Sequence, residues 1–171
     1  MTEKEARERF IDSWGTMGAL WGINASVARV HALLLLTDGP LSLDEIARHL
    51  AISRGNASMS LKELKTWGII RLVKAPGDRQ DYYVTEPDAW RIFFLIARGR
   101  KRREFDPLLG VVNETLTAMP KGAGAVPGRI RQLQDLLQTL DWLGEAALAN
   151  EDRCRTALAM MSKLLGAKKK G

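Results

Sequence analysis

The residues with the most chemistry to offer lie along one short stretch, Ser53-Arg54-Gly55-Asn56-Ala57-Ser58-Met59-Ser60-Leu61-Lys62. Asparagine can hold adenine through two hydrogen bonds, and arginine or lysine can hold guanine. Asn56, Arg54 and Lys62 carry those groups, and Met59 offers an apolar surface to a thymine methyl. Ser53 and Ser58 are small hydroxyl donors near a helix start, where free backbone N–H groups already attract phosphate. Gly55 removes a side chain where a backbone would approach closely. The spacing divides these residues by face. Ala57, Leu61 and Leu64 recur at i, i+4 and i+7 as a buried stripe, which puts Gly55, Met59, Lys62 and Thr66 opposite, with Asn56 and Glu63 on the flanks.

Such a face needs a scaffold, and Leu41 to Thr85 reads as one. Ser42 stands three residues before Glu45, a capping box. Ile46, Ala47 and Leu50 then share a face, and Ala51-Ile52 is a break. Ser53 caps a second helix over Arg54 to Trp67, and Gly68 stops it. Two short capped helices joined by a tight turn form a helix-turn-helix, whose second helix can lie in a major groove. Ile69 to Val73 predicts a strand, Ala75 to Gln80 a turn, and Asp81 to Thr85 a second strand. Strand, turn and strand after a helix-turn-helix make a winged helix. Arg79 is the only basic residue at the wing tip and suits a narrow minor groove. The plainer reading of Arg79 is a hairpin charge pair with Asp78 or Asp81.

The sequences LSLDEIA, ISRGNASMSLKELKTWGII and PGDRQDYYVTEPDAW, with Trp21 to Asn24 and Leu33 to Leu36 upstream, resemble the GbsR/MarR-type transcriptional regulators. The likeness covers roughly residues 14 to 98. It implies a homodimeric winged-helix protein that binds double-stranded DNA and is modulated by a small-molecule effector; repression is expected rather than activation, because occluding a site needs no polymerase contact. It also implies a wing arginine in the minor groove, placed by an aspartate. Arg79 with Asp78 or Asp81 matches that pattern with a different spacing. Some relatives respond to choline-like quaternary ammonium compounds, which aromatic cages bind by cation–π attraction. Trp14, Trp21 and Trp90 are the candidate cage. Ordinary packing is the competing account of them.

The expected fold is mainly α with a small β-wing, a winged helix-turn-helix flanked by N-terminal and C-terminal dimerisation helices. The expected divisions are an arm at 1–22, a DNA-binding domain at 23–86 and a helical dimerisation and effector region at 87–171. The arm reads as a helix over 2–13, loosened after it by Gly15 and Gly18. A core helix runs from Ala25 to Thr37 behind the cap Asn24. A long helix begins near Pro87 or Asp88 and runs to about Ala118, with Pro107 capping or kinking it. Residues 119–128 form a Gly/Pro-rich linker. Ile130, Leu133, Leu136, Leu137 and Leu140 make a heptad-like seam, and 145–165 is again helical. The tail from Lys168 is expected to be disordered.

Net charge is +6, yet residues 23–86 hold eight Lys and Arg against seven Asp and Glu, so bulk charge is a weak argument for DNA. The excess lies in Arg98 to Arg103, which has five basic residues in six, and in Lys168 to Lys170. The first run could bind phosphate or an anionic ligand, or be a helix face whose acids come from a neighbouring helix. No metal-ligand spacing, phosphate loop or nucleophile–base pair is present, so an enzyme and a cofactor are not expected. His31 is expected to be a helix residue with a satisfied hydrogen bond, and His49 an exposed one. One cysteine, Cys154, excludes an internal disulfide. The charged N-terminus and the lack of a bilayer-length apolar run point to a cytoplasmic protein with no membrane partner. Two further classes stay open. One is a winged-helix protein-interaction module, and the other is a small-molecule sensor using an aromatic pocket.

Overall fold

The computed structural model describes residues 1–74, 79–120 and 124–167. The chain forms two compact units, residues 1–95 and 96–171.

In the first unit, α1 spans Glu3–Leu20 and opens on a capping box. The Glu5 N–H donates to Thr2 Oγ1 at 3.3 Å, and the Thr2 N–H donates to Glu5 Oε2 at 2.7 Å. The helix does not loosen after residue 13, as the sequence reading expects. Gly15 and Gly18 are both buried within it. A Cβ on Gly15 would lie 2.6 Å from Arg29 Cγ, and one on Gly18 would lie 2.5 Å from Ala28 Cβ. These glycines are the close approach to α2 (Ala25–Leu35), and tertiary packing outweighs their low helix propensity. Arg29 reaches back to Asp12 at 3.2 Å. Asn24 caps α2 through the Ser26 N–H at 2.8 Å.

The helix-turn-helix follows the sequence reading closely. Helix α3 is Leu43–Leu50, and α4 is Arg54–Trp67. Ser42 and Glu45 form the expected box, and the hydrogen bonds from Ser42 hold the Glu45 carboxyl below its usual range. Ala51 ends α3 in the left-handed region at φ 51°, and Gly68 ends α4 there at φ 74°. Ile46, Leu50, Ala57, Leu61, Leu64 and Trp67 turn inward to a core shared with Val30 and Leu34 of α2.

Three strands complete this unit. They are β1 (Leu41–Ser42), β2 (Ile70–Lys74) and β3 (Asp81–Thr85), in the antiparallel order β1-β3-β2. Leu41 faces Tyr83, Ile70 faces Thr85 and Lys74 faces Asp81. Strand β1 is absent from the sequence reading because two residues carry no alternation, and Ser42 signals a helix cap instead. Strand β2 starts one residue later than expected. The wing tip, residues 75–78, lies outside the described residues. Helix α5 (Ala89–Arg100) begins where Asp88 Oδ1 accepts the Trp90 N–H at 2.8 Å. Its Ile92 and Phe94 are buried.

The second unit continues α5 into a π-helical turn, Lys101–Phe105, and then α6 (Asp106–Ala118). Pro107 has no N–H to donate back along the helix, so the expected disturbance takes the form of this widened turn just before it. Helix α7 is Val126–Ala149, beginning inside the expected linker with Pro127 in its first turn. Asn150 leaves helical geometry, and α8 is Glu151–Ala167. Gln134 donates to Asn113 at 2.6 Å, tying α7 to α6. Of the leucine seam, Leu137 is buried, while Leu133, Leu136 and Leu140 are exposed. The tail at 168–171 lies outside the described residues. Among the described residues the molecule is mainly helical with one small sheet, in agreement with the expected fold class.

Candidate nucleic-acid interface

Helix α4 presents the expected face. Ala57, Ser60, Leu61, Leu64 and Trp67 are buried, and this fixes what remains outside. Met59 is 68% exposed, a large apolar side chain held in solvent midway along a capped helix. Lys62 and Ser58 are exposed beside it. Ser53 caps the helix by accepting the Asn56 N–H at 3.2 Å, and its own hydroxyl proton is still available to a phosphate. Thr66, on the same face, turns its hydroxyl to the Lys62 carbonyl at 3.0 Å.

Two residues of the set have partners that the sequence reading does not foresee. Arg54 forms an ion pair with Asp44 of α3, although its side chain is still 71% exposed. Asn56 is half-buried, and its amide is used within the domain. Its Nδ2 donates to Ser26 Oγ at 3.0 Å, and its Oδ1 accepts from Ser60 Oγ at 3.4 Å. Both amide groups that would meet a base are thus engaged by Ser26 and Ser60 in the free chain. Ser26 lies thirty residues upstream, so no local spacing could have announced the pairing. Arg79 is exposed two residues before the return strand. Of its two expected partners, Asp78 lies outside the described residues, and Asp81 sits 3.8 Å from Lys74.

The basic run after the wing resolves toward the second of its two readings. Arg98 contacts Glu151 at 2.7 Å and donates to the Leu148 carbonyl at 2.7 Å. Lys101 meets Asp106, Asp141 and Glu145 at 2.7, 2.8 and 2.8 Å. The hydrogen bond it donates to Asp106, then those it donates to Asp141 and Glu145, raise its pKa above the ordinary lysine value. Arg100 pairs with Glu104 at 3.2 Å. The run fastens α7 and α8 to the π turn, and the i, i+4 acids Asp141 and Glu145 were the signal for it.

The candidate aromatic cage divides. Trp14 stacks on Phe10 with ring centres 5.4 Å apart and lies 6.2 Å from His31. Trp90 packs against Phe93 and Phe94, each at 6.3 Å. Trp21 closes α1 and is largely exposed. His31 corrects its expectation. It is buried, its Nε2 lacks a hydrogen-bond partner among the described residues, and burial lowers its pKa to about 4. Among the described residues, no group of three or more His, Cys, Asp or Glu side chains could hold a metal ion, and no helix is long and apolar enough to cross a membrane.

A capped reading helix behind a capped support helix, followed by an antiparallel hairpin, defines a winged helix-turn-helix protein. The MarR family model matches residues 21–81, from the turn before α2 to the first residue of β3. The putative HTH-type transcriptional regulator YvaV of Bacillus subtilis (strain 168) is 22% identical over 82% of this chain and 84% of its own. The HTH-type transcriptional repressor GbsR of the same organism is 25% identical over 69% of this chain and 65% of its own. A crystal structure of a transcriptional regulator superposes with a TM-score of 0.69 at 23% identity, covering 86% of this chain and 99% of that one, and so shares the fold. The chain thus has a winged helix-turn-helix fold, and over residues 21–81 it is similar to the MarR family.

Proposed function

We propose that this protein binds a specific sequence of double-stranded DNA as a homodimer and represses transcription by occupying it, under the control of a small-molecule effector. The observation that carries the reading is the solvent-facing side of α4, where Met59 and Lys62 stand exposed opposite a fully buried stripe. Met59, Lys62 and Arg54 face base edges, Ser53 and Ser58 hold phosphates, and Arg79 enters the adjoining minor groove. Pairing supports the homodimer through apolar side chains left in solvent. Phe10, Trp14 and Met17 lie on α1, and Leu133, Leu136 and Leu140 lie on α7. Repression is supported by the likeness to a protein described as a repressor. The effector rests on the family resemblance, with Trp14, Trp21 and Trp90 as its candidate contacts.

Selection from a random duplex pool, with sequencing of the bound fraction, tests the reading on wild type, Lys62→Ala and Arg79→Ala. A palindrome with half-sites about one helical turn apart is expected. Arg79→Ala weakens binding with the motif retained. No enriched motif at any of several salt concentrations would refute sequence-specific reading.

A further inference from the structure

We propose that Asn56 is a positioning residue of the DNA-binding face, fastening α4 to the first turn of α2 and so setting the pose in which α4 meets DNA. This rests on the DNA-binding reading above. Asn56 is the third residue of α4, on the flank between the buried stripe and the exposed face. An asparagine that reads adenine must offer both its amide oxygen and its amide nitrogen to the base. Here Nδ2 donates to Ser26 Oγ and Oδ1 accepts from Ser60 Oγ. Ser60 is 2% exposed, so withdrawing Asn56 toward a base would break a buried hydrogen bond between two side chains of α4. Ser26 is a firm anchor. It lies in the first turn of α2, its N–H is held by Asn24, and Gly15 and Gly18 seat the next turn of α2 directly against α1. Helix α4 packs on α2 through their shared core, and the Asn56–Ser26 hydrogen bond adds a directional tie at its N-terminal end. Met59 and Lys62 lie within two turns of that bridge on the same helix.

The test uses Ser26→Ala, Asn56→Ala and the double variant in the same random-duplex selection, with urea unfolding of each protein. Ser26 carries no group of the proposed DNA face, so a positioning role requires it to reproduce the effect of Asn56. Each single variant is expected to weaken binding by about fivefold, the loss of roughly one hydrogen bond. The double variant is expected to bind no worse than either single one, with the selected motif unchanged. A changed base preference in Asn56→Ala that Ser26→Ala does not share would make Asn56 a reader and overturn the proposal. Fully additive losses, or no loss, would also overturn it. If wild type enriches no motif, the DNA-binding reading fails by itself. The unfolding midpoints then decide the bridge, with non-additive losses upholding it and additive ones refuting it.

Discussion

Acidification should weaken this fold through one histidine. His31 is 3% exposed on α2, against the ring of Trp14, and burial lowers its pKa from 6.5 to about 4. The native state therefore keeps the imidazole neutral where the unfolded chain binds a proton. The sign follows by linkage. Above pH 6.5 neither state is protonated, and stability is full. As pH falls from 6.5 toward 4, only the unfolded state gains the proton, and stability drops. At about 1.4 kcal/mol per pH unit, the whole window amounts to about 3 kcal/mol. Carboxylates also begin to titrate in this range, so the difference between wild type and His31→Leu isolates the histidine. Urea unfolding followed by circular dichroism at pH 7.5, 6.5, 5.5 and 4.5 is the assay. Wild type should lose more stability than the variant between the second and last of these conditions, by about 2–3 kcal/mol. Equal slopes for the two proteins would refute the buried neutral imidazole.

Three further outcomes follow from the packing. Lys101→Met leaves Asp106, Asp141 and Glu145 facing one another without their cation, and should cost about 1–2 kcal/mol by chemical denaturation, less in high salt. The lysine pKa is raised, so this contribution is full below the ordinary lysine pKa and is lost only as pH rises through the higher native one. Wild type and variant should therefore differ by a constant amount from pH 7 to 9. Gly18→Ala drives a methyl group into Ala28, so the overpacking cost of about 1–3 kcal/mol should exceed the helix-propensity gain, with a lower thermal midpoint as the readout. Gly55→Ala meets nothing within 4 Å, so it should leave stability equal or higher by up to about 1 kcal/mol while weakening DNA affinity in a titration, because its methyl group lies on the reading face.

Local signals made α3 and α4 legible. Ser42, Glu45, Ser53 and Gly68 each satisfy or end a helix terminus through groups at most a few residues away, and a linear reading captures that range. The i, i+4, i+7 stripe of Ala57, Leu61 and Leu64 likewise defined which side of α4 is buried, and so which side is offered outward. Three features needed the tertiary structure. Gly15 and Gly18 read as breaks, yet they are helical contacts, because only the folded chain shows what lies beside them. Strand β1 exists only because Tyr82 and Tyr83 return beside it from forty residues away. Asn56 and the Arg98 to Arg103 run carry groups that could meet DNA, but folding brings Ser26 and the acids of α7 and α8 to them first. Residue type and helical phase tell what a side chain is able to hold. Which partner it holds is decided by long-range proximity, since a hydrogen bond or ion pair reaches only about 3–4 Å.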